Sequence, residues 1–169
     1  MKLSYEWLNE YLDLSSITPQ ELGEKMSRTG IEVDSVSVPG EGLSGLVVGR
    51  VLEVVDHPDS DHLHVVTVDV AEEEPLQIVC GAPNIAKGQK IIVATHGARI
   101  AGGHKIKRGK LRGVVSQGMI CSLQELGLPS SLVPKEYEQG IYVFEDDAIE
   151  VGMDAVKALA LDSAIVELD

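Results

Sequence analysis

The sequence predicts an α+β fold in which a β-rich middle segment interrupts a small α/β scaffold. Three observations lead to this fold class. A helix with a complete start signal lies near the N-terminus, short apolar runs separated by turn residues occupy positions 46–123, and mixed α/β character returns near the C-terminus. We therefore expect a discontinuous α/β domain formed by residues 1–39 and 140–169, and a separate β-rich domain formed by residues 40–139.

The first forty residues predict two helices followed by a strand. Apolar residues at three-and-four spacing indicate a first helix over residues 5–12. The segment TPQE (18–21) is a capping box with proline at the first helical position, and the second helix should end at the following Thr-Gly pair. A strand is expected over residues 31–38, and its apolar phase shifts between Val33 and Val36, which predicts a bulge.

The middle of the chain predicts a small antiparallel barrel or sandwich. Five or six short strands alternate with turn residues at a spacing of about ten, which is typical of such folds. The expected strands are LVVGRVLEVVD (46–56), HLHVVTVDV (62–70), LQIVC (76–80), QKIIVAT (89–95) and HKIKRGKLRGV (104–114).

The last thirty residues predict a strand, a helix and a strand. The strands are IYVFE (141–145) and AIVEL (164–168), and the helix covers residues 153–161. The final strand stops abruptly at Asp169, so we expect the sequence to be part of a longer chain.

Charge is strongly segregated along the sequence. The chain has 14 basic and 27 acidic residues and a net charge of −13, yet the segment 75–124 has eight basic residues and no acidic one. A basic cluster of this kind favours a partner with phosphates, whereas the net charge alone would argue the opposite. The eight are Lys87, Lys90, Arg99, Lys105, Lys107, Arg108, Lys110 and Arg112.

Five of the eight lie within residues 104–112. Alternate residues of a strand face opposite sides, so these five cannot share one face unless Gly109 or a turn near Arg108 redirects the chain. A hairpin with basic side chains on both arms would suit a phosphate backbone. The other interpretation is a charged, solvated edge strand that resists aggregation.

Aromatic residues are absent between Tyr11 and Tyr137. Proteins that bind single strands stack bases on aromatic side chains, so the basic segment has no such platform. Recognition of the shape and backbone of a structured RNA is therefore favoured over sequence reading of a single strand.

The residue types that carry catalysis or bind metals form no recognisable motif. His57, His62 and His64 lie with two aspartates in a row that resembles a metal cluster, but HPDSD (57–61) is also a typical turn sequence, and we favour the turn. No phosphate-binding loop, dinucleotide fingerprint or nucleophile elbow is present. Cys80 and Cys121 show no CxxC spacing, which favours buried thiols in a reduced, cytoplasmic protein without signal peptide or membrane span.

Three motifs in order resemble the signatures of the tRNA-binding OB-type module that occurs in several aminoacyl-tRNA synthetases and as a free-standing protein. They are HPDSDHL (57–63), VCGAPN (79–84) and GVVSQGMICS (113–122). The opening, MKLSYEWL (1–8) with RTGIEV (28–33), is similar to the N-terminus of the bacterial phenylalanyl-tRNA synthetase beta subunit family.

The resemblance implies an OB-like barrel inserted into the first α/β domain of a longer subunit. It also implies that the aminoacylation site lies in an alpha subunit and that the editing site and the magnesium-associated carboxylates lie downstream. ATP and magnesium are then cofactors of the parent α2β2 enzyme, with none in this chain. The expected partners are tRNA and the alpha subunit, and neither a membrane nor DNA is expected.

We expect no catalytic or metal-binding residue here, and we predict phosphate contacts from the basic residues. Lys105, Lys107, Arg108, Lys110 and Arg112 come first, followed by Arg99, Lys87 and Lys90. Four motif residues are further candidates for RNA contacts, although turn-forming or core roles suit them equally: Asn84, Ser116, Gln117 and Met119. A protein-docking or structural role with little RNA contact is the alternative function.

Overall fold

The computed structural model describes residues 1–169. The chain forms two compact units. Unit 1 consists of Met1–Glu41 and Ala160–Asp169, and unit 2 of Gly42–Leu159. No helix is both long enough and apolar enough to cross a bilayer.

Eleven strands and three α-helices follow one another along the chain. The strands are β1 (Lys2–Ser4), β2 (Val33–Ser37), β3 (Ser44–Asp56), β4 (His64–Asp69), β5 (Leu76–Cys80), β6 (Lys90–Arg99), β7 (Gly109–Leu111), β8 (Val114–Ser116), β9 (Gly118–Ile120), β10 (Val143–Phe144) and β11 (Ile165–Leu168). The helices are α1 (Tyr5–Tyr11), α2 (Pro19–Arg28) and α3 (Ala155–Ala158).

Unit 1 is a three-stranded antiparallel sheet, in the order β1-β11-β2, with α1 and α2 beside it in sequence. The predicted capping box of α2 is confirmed: Glu21 N–H donates to Thr18 Oγ1 at 3.2 Å, and Thr18 N–H donates to the Glu21 carboxylate at 2.7 Å. The predicted bulge in β2 is also confirmed, since Ser35 pairs with Glu167 whereas Val33 pairs with Leu168. This local register shift lets Val33 and Val36, three positions apart, both lie on the side of β2 that faces α2.

Helix α1 forms at Tyr5–Tyr11, close to the range that the apolar spacing predicts, but it packs loosely. None of its residues is buried, and the exposed fraction is 50% for Trp7 and 70% for Tyr11. The two rings contact each other edge to face, with centroids 5.1 Å apart. Most of the apolar stripe that the sequence predicts therefore faces solvent in this chain, and only Leu8 of the stripe is half-buried.

Unit 2 is a largely antiparallel, nearly closed barrel with few helices. Its strand order is β10-β6-β3-β4-β5, and β9 also pairs with β6. The long strand β3 pairs with β6 through its first half and with β4 through its second, and a register shift between Val51 and Glu53 allows it to bend. Branched apolar side chains such as Val66, Ile78 and Ile91 fill the interior and are fully buried.

Hydrogen bonds between β5 and the link from β8 to β9 close the barrel. Gln117 N–H donates to the Gln77 carbonyl at 2.7 Å, and Gln77 N–H donates to Gln117 Oε1 at 2.8 Å. Gly118 lets β9 approach β6, because a Cβ atom there would lie 2.6 Å from the carbonyl oxygen of Ala94.

Residues 140–159, which the sequence interpretation grouped with the terminal segments, belong to unit 2. Strand β10 pairs with β6, with Val143 opposite Ile91. The helix expected over residues 153–161 is the single turn α3: Asp154 caps its start, and Ala160 follows it with a φ of 55°. The pairing of β10 with β6, more than 40 residues earlier in the chain, places these residues in unit 2, and no local sequence pattern encodes it.

Candidate nucleic-acid interface

The basic segment belongs to two successive hairpins. Residues 104–106 fold back on the end of β6, where Ile106 N–H donates to the Ala98 carbonyl at 2.8 Å and Gly97 N–H donates to the Ile106 carbonyl at 2.7 Å. The chain then leaves β6, and Arg108 N–H donates to His96 Nδ1 at 3.0 Å. The chain therefore changes direction near Arg108 and Gly109, which is one of the alternatives that the sequence leaves open.

The second hairpin joins β7 to β8 through a two-residue turn, Arg112-Gly113. Both residues have positive φ, 47° and 84°, as in the type I′ turns that match the twist of paired strands. A left-handed conformation costs a residue with a side chain about 1–2 kcal/mol, so arginine is unusual here. Its guanidinium Nη1 donates to the Asp59 carbonyl at 3.2 Å.

Basic side chains lie on both arms of the first hairpin but on one arm only of the second. Arg99 on β6 pairs with Lys105 on the returning arm, whereas β8 has no basic residue beside Lys110 of β7. No hairpin has both arms within residues 104–112, as the sequence interpretation had it, because one arm of the first hairpin is β6 and one arm of the second is β8.

Six of the predicted phosphate contacts form what we call the basic hairpin surface. All six side chains are exposed, and none has a carboxylate oxygen within 4.0 Å. Their positive charge is therefore not neutralised by nearby ion pairs. The six are Arg99, Lys105, Lys107, Arg108, Lys110 and Arg112. Lys87 is exposed as well, but it lies in the turn before β6.

Lys90 is not part of this surface. Its side chain is only 8% exposed, and its ammonium donates to the carbonyl oxygens of Asp146 and Ile149 at 2.6 and 2.7 Å. A buried ammonium needs such partners. The predicted phosphate contact by Lys90 is therefore corrected to a structural role, tying β6 to the segment after β10.

Three of the four motif residues also hold the fold together. The Asn84 side chain donates to the Ile141 carbonyl at 2.9 Å and accepts from Ile141 N–H at 3.0 Å. Ser116 is buried; its hydroxyl accepts from Val79 N–H at 3.0 Å and donates to the Gly118 carbonyl at 3.0 Å.

Gln117 contributes to barrel closure through its backbone and its Oε1 atom, as described above. Met119 is half-buried on β9 and lines a cleft with Cys80 and Glu125 rather than the basic hairpin surface. Of the four motif residues, only Gln117 retains a side-chain group, Nε2, without a protein partner.

His57 is a positioning residue that the sequence interpretation assigned only to a turn. Its ring is 3% exposed; Nδ1 accepts from Asp59 N–H at 3.0 Å, so Nε2 carries the proton and donates to the Leu111 carbonyl at 3.0 Å. The imidazole thus holds β7, with its basic residue Lys110, against the turn after β3. The HPDSD motif signals the turn, but nothing local signals the partner 54 residues away.

The remaining histidines and the two thiols do not cluster into a site for metal binding or nucleophilic chemistry. His62 contacts Asp61 on the exposed turn, and no group of three or more His, Cys, Asp or Glu side chains could hold a metal ion. Burial, with a smaller effect from the nearby Glu125 carboxylate, raises the pKa of Cys121 to about 12. Burial also raises the pKa of Cys80. Both thiols therefore stay protonated at neutral pH and are poor nucleophiles.

Known proteins similar to this chain include one protein family and several relatives with more than half of their aligned residues identical. Residues 46–154 match the family model described as "Putative tRNA binding domain". The beta subunit of phenylalanine–tRNA ligase from Bacillus licheniformis is 56% identical over 168 residues, covering 99% of this chain and 21% of that protein. The corresponding subunit from Latilactobacillus sakei is 58% identical over 169 residues, covering 100% and 21%.

The chain thus spans about a fifth of the length of the curated relatives it matches. Among solved structures, the C-terminal domain of Plasmodium vivax p43 is similar over 63% of this chain and 56% of its own, with 24% identity and a TM-score of 0.44.

Proposed function

The chain belongs to the family of tRNA-binding domains, and we propose that its unit 2 binds tRNA through the basic hairpin surface. The observation that supports this most is the set of six exposed cationic side chains without a carboxylate partner. A polyanion gains from such a surface because it releases its own counterions when lysine and arginine replace them.

The proposed contacts of the basic hairpin surface go to phosphates rather than to base edges. Lysine and arginine on a hairpin position a nucleic acid without reading its sequence. The aromatic residues of unit 2 are unavailable as a stacking platform, since Tyr137, Tyr142 and Phe144 pack on one another with centroids 4.9 and 5.0 Å apart. A folded RNA with closely spaced phosphates fits this arrangement better than an extended single strand.

The rest of the chain restricts how the RNA approaches. Outside segment 75–124 there are six basic and all 27 acidic residues, a net charge of −21. These acids repel phosphates over the distance of roughly 8–10 Å that salt leaves unscreened. The basic hairpin surface therefore orients a tRNA more than it captures one.

We propose further that the chain acts as part of a phenylalanine–tRNA ligase beta subunit, as its relatives are named. In this proposal unit 2 is an OB-type module inserted into an α/β domain, and the parent is a cytoplasmic α2β2 enzyme. Its ATP- and magnesium-dependent joining of phenylalanine to tRNA takes place outside these residues. The module's part is to hold tRNA while that chemistry occurs elsewhere.

A titration of the chain with tRNA at several salt concentrations tests the binding proposal. Each phosphate contact contributes roughly 0.7–0.9 to the magnitude of the slope of log K against log salt, so six contacts predict about 4 to 5. Binding that is absent at low salt, or that does not weaken as salt rises, would exclude the proposal.

The second candidate function is protein docking, and the exposed face of α1 favours it. Trp7, Tyr11 and Leu12 are 50%, 70% and 61% exposed, and aromatic side chains of this kind are enriched at protein interfaces. Capture of the alpha subunit by the immobilised chain, with no capture of tRNA, would support docking in place of RNA binding.

A further inference from the structure

An open cleft in unit 2 brings one residue of the basic hairpin surface together with apolar groups, uncharged polar groups and one carboxylate. It has a volume of about 520 Å³ and is lined by side chains of β3, β5 and β6 and of the neighbouring loops. Val47, Val70 and Leu76 supply its apolar wall. Small-molecule sites in proteins span roughly 300–1,000 Å³ and combine such a wall with a few polar groups.

Two flat side chains line this cleft. The His96 ring is held by the hydrogen bond from Arg108 N–H to its Nδ1 atom, which leaves Nε2–H without a protein partner. Arg108 also lines the cleft and is exposed. Imidazole rings and guanidinium planes are surfaces on which proteins stack unpaired bases. The aromatic platform that the sequence lacks thus has a substitute here.

Three polar side chains in the cleft have free hydrogen-bonding capacity. Gln117 Oε1 is occupied by Gln77 N–H, so its Nε2 group remains as a donor. The Thr95 hydroxyl donates to the Gly45 carbonyl at 3.0 Å and retains its lone pairs as acceptors. Glu72 adds a carboxylate, which accepts N–H groups and repels phosphate.

We infer that this cleft binds one unpaired nucleotide of the RNA. Its base lies against the apolar wall and the His96 ring, with its N–H edge towards Glu72, and its phosphate pairs with Arg108. The inference rests on the proposed function only in taking tRNA as the source of that nucleotide. The basic hairpin surface then holds the RNA backbone. The cleft selects a nucleotide of the RNA whose base is unpaired and not stacked on its neighbours.

Guanosine 5′-monophosphate (GMP) is the probe, because guanine offers two adjacent N–H donors to a carboxylate and an oxygen acceptor to an amide. Titration into the full chain, followed by NMR, should shift the His96 ring and Thr95 resonances, and ribose 5-phosphate should shift them far less. Equal shifts from both compounds, or shifts elsewhere only, would overturn the inference.

Two variants sharpen the test. Because base stacking contributes about 1–3 kcal/mol, His96→Ala should weaken GMP binding about tenfold with no change in charge. Arg108→Ala should weaken it as much or more, whereas Lys135→Ala, with the same charge loss at an exposed site outside the cleft, should have no effect. Equal losses in Arg108→Ala and Lys135→Ala would contradict a built site.

A parallel titration with tRNA separates the two proposals. Binding of tRNA with no GMP shift at His96 would overturn the cleft and leave the proposed function standing. A GMP shift at His96 without tRNA binding would support the cleft and contradict the proposed function.

Discussion

The Nε2 atom of buried His57 lies 3.0 Å from the carbonyl oxygen of Leu111 and donates a hydrogen bond to it. Through this bond the turn after β3 holds the strand that bears Lys110. Leu111 itself is 47% exposed, so apolar packing alone does not fix this strand.

Replacing His57 with alanine should loosen the β7–β8 hairpin. The variant leaves the Leu111 carbonyl and the Asp59 N–H without their partner at a partly buried site. An unpaired group at a fully buried site costs about 1–3 kcal/mol, and we expect less than that for each group here, because both residues are exposed. We expect a lower free energy of unfolding in urea, faster hydrogen exchange at residues 109–116, and weaker tRNA binding although no cation is removed. His62→Ala is the control, because the ring of this exposed histidine in the same turn contacts the neighbouring Asp61 and not β7. Equal effects of the two variants would contradict the positioning role.

Ser116→Ala should destabilise unit 2 without a direct effect on RNA binding. It removes the acceptor of Val79 N–H and the donor to the Gly118 carbonyl, both at 3.0 Å in a buried place. The expected loss is about 1–3 kcal/mol of unfolding free energy, measured by urea denaturation. A normal stability together with reduced tRNA affinity would instead assign Ser116 to the RNA interface.

Lys90→Met should show that Lys90 stabilises the fold and does not contact RNA phosphates. The methionine retains the apolar stem but leaves the Asp146 and Ile149 carbonyls unpaired, and hydrogen bonds to charged groups contribute about 1.5–3 kcal/mol each. We expect a clear loss of stability and an unchanged salt slope for tRNA. The control is Lys87→Met, which removes an exposed charge nearby and should leave stability within about 0.5 kcal/mol. A smaller salt slope in Lys90→Met at unchanged stability would restore Lys90 to the phosphate contacts.

Arg112→Asn should show that arginine at this positive-φ position lowers the stability of the turn while it adds a positive charge. Asparagine tolerates positive φ better than arginine, so relief of up to about 1–2 kcal/mol offsets the lost bond to Asp59. We expect stability that is unchanged or higher, and a salt slope for tRNA smaller in magnitude by roughly 0.7–0.9. An unchanged slope would remove Arg112 from the phosphate contacts.

Local chemistry made part of the fold predictable. The capping box of α2 and the bulge of β2 are encoded by residues a few positions apart, and the structure confirms both. The basic residues are equally evident, because the charge of a side chain can be read from the sequence whatever the fold.

Long-range contacts account for what the sequence could not show. Nothing local distinguishes Lys90 from the other lysines of the basic segment, because its partners are 56 and 59 residues away. The Ser116 hydroxyl meets Val79 across 37 residues, and His57 meets Leu111 across 54. A motif marks such residues as special, but only the paired strands reveal that they close the barrel or hold a hairpin.

Charge reversal on the hairpin tests the central claim, that the basic hairpin surface binds tRNA. The test variant is Lys107→Glu, Arg108→Glu and Lys110→Glu combined. The matched control replaces Lys25, Lys135 and Lys157 with glutamate. These three exposed lysines lie elsewhere in the chain and form no ion pair, so the control changes the net charge by the same amount. Both are titrated with tRNA over a range of salt concentrations. We predict that the hairpin variant loses most of its affinity and that its slope falls in magnitude by about 2 to 3, whereas the control stays close to the unmodified chain. Equal tRNA affinity in the two variants would contradict the account.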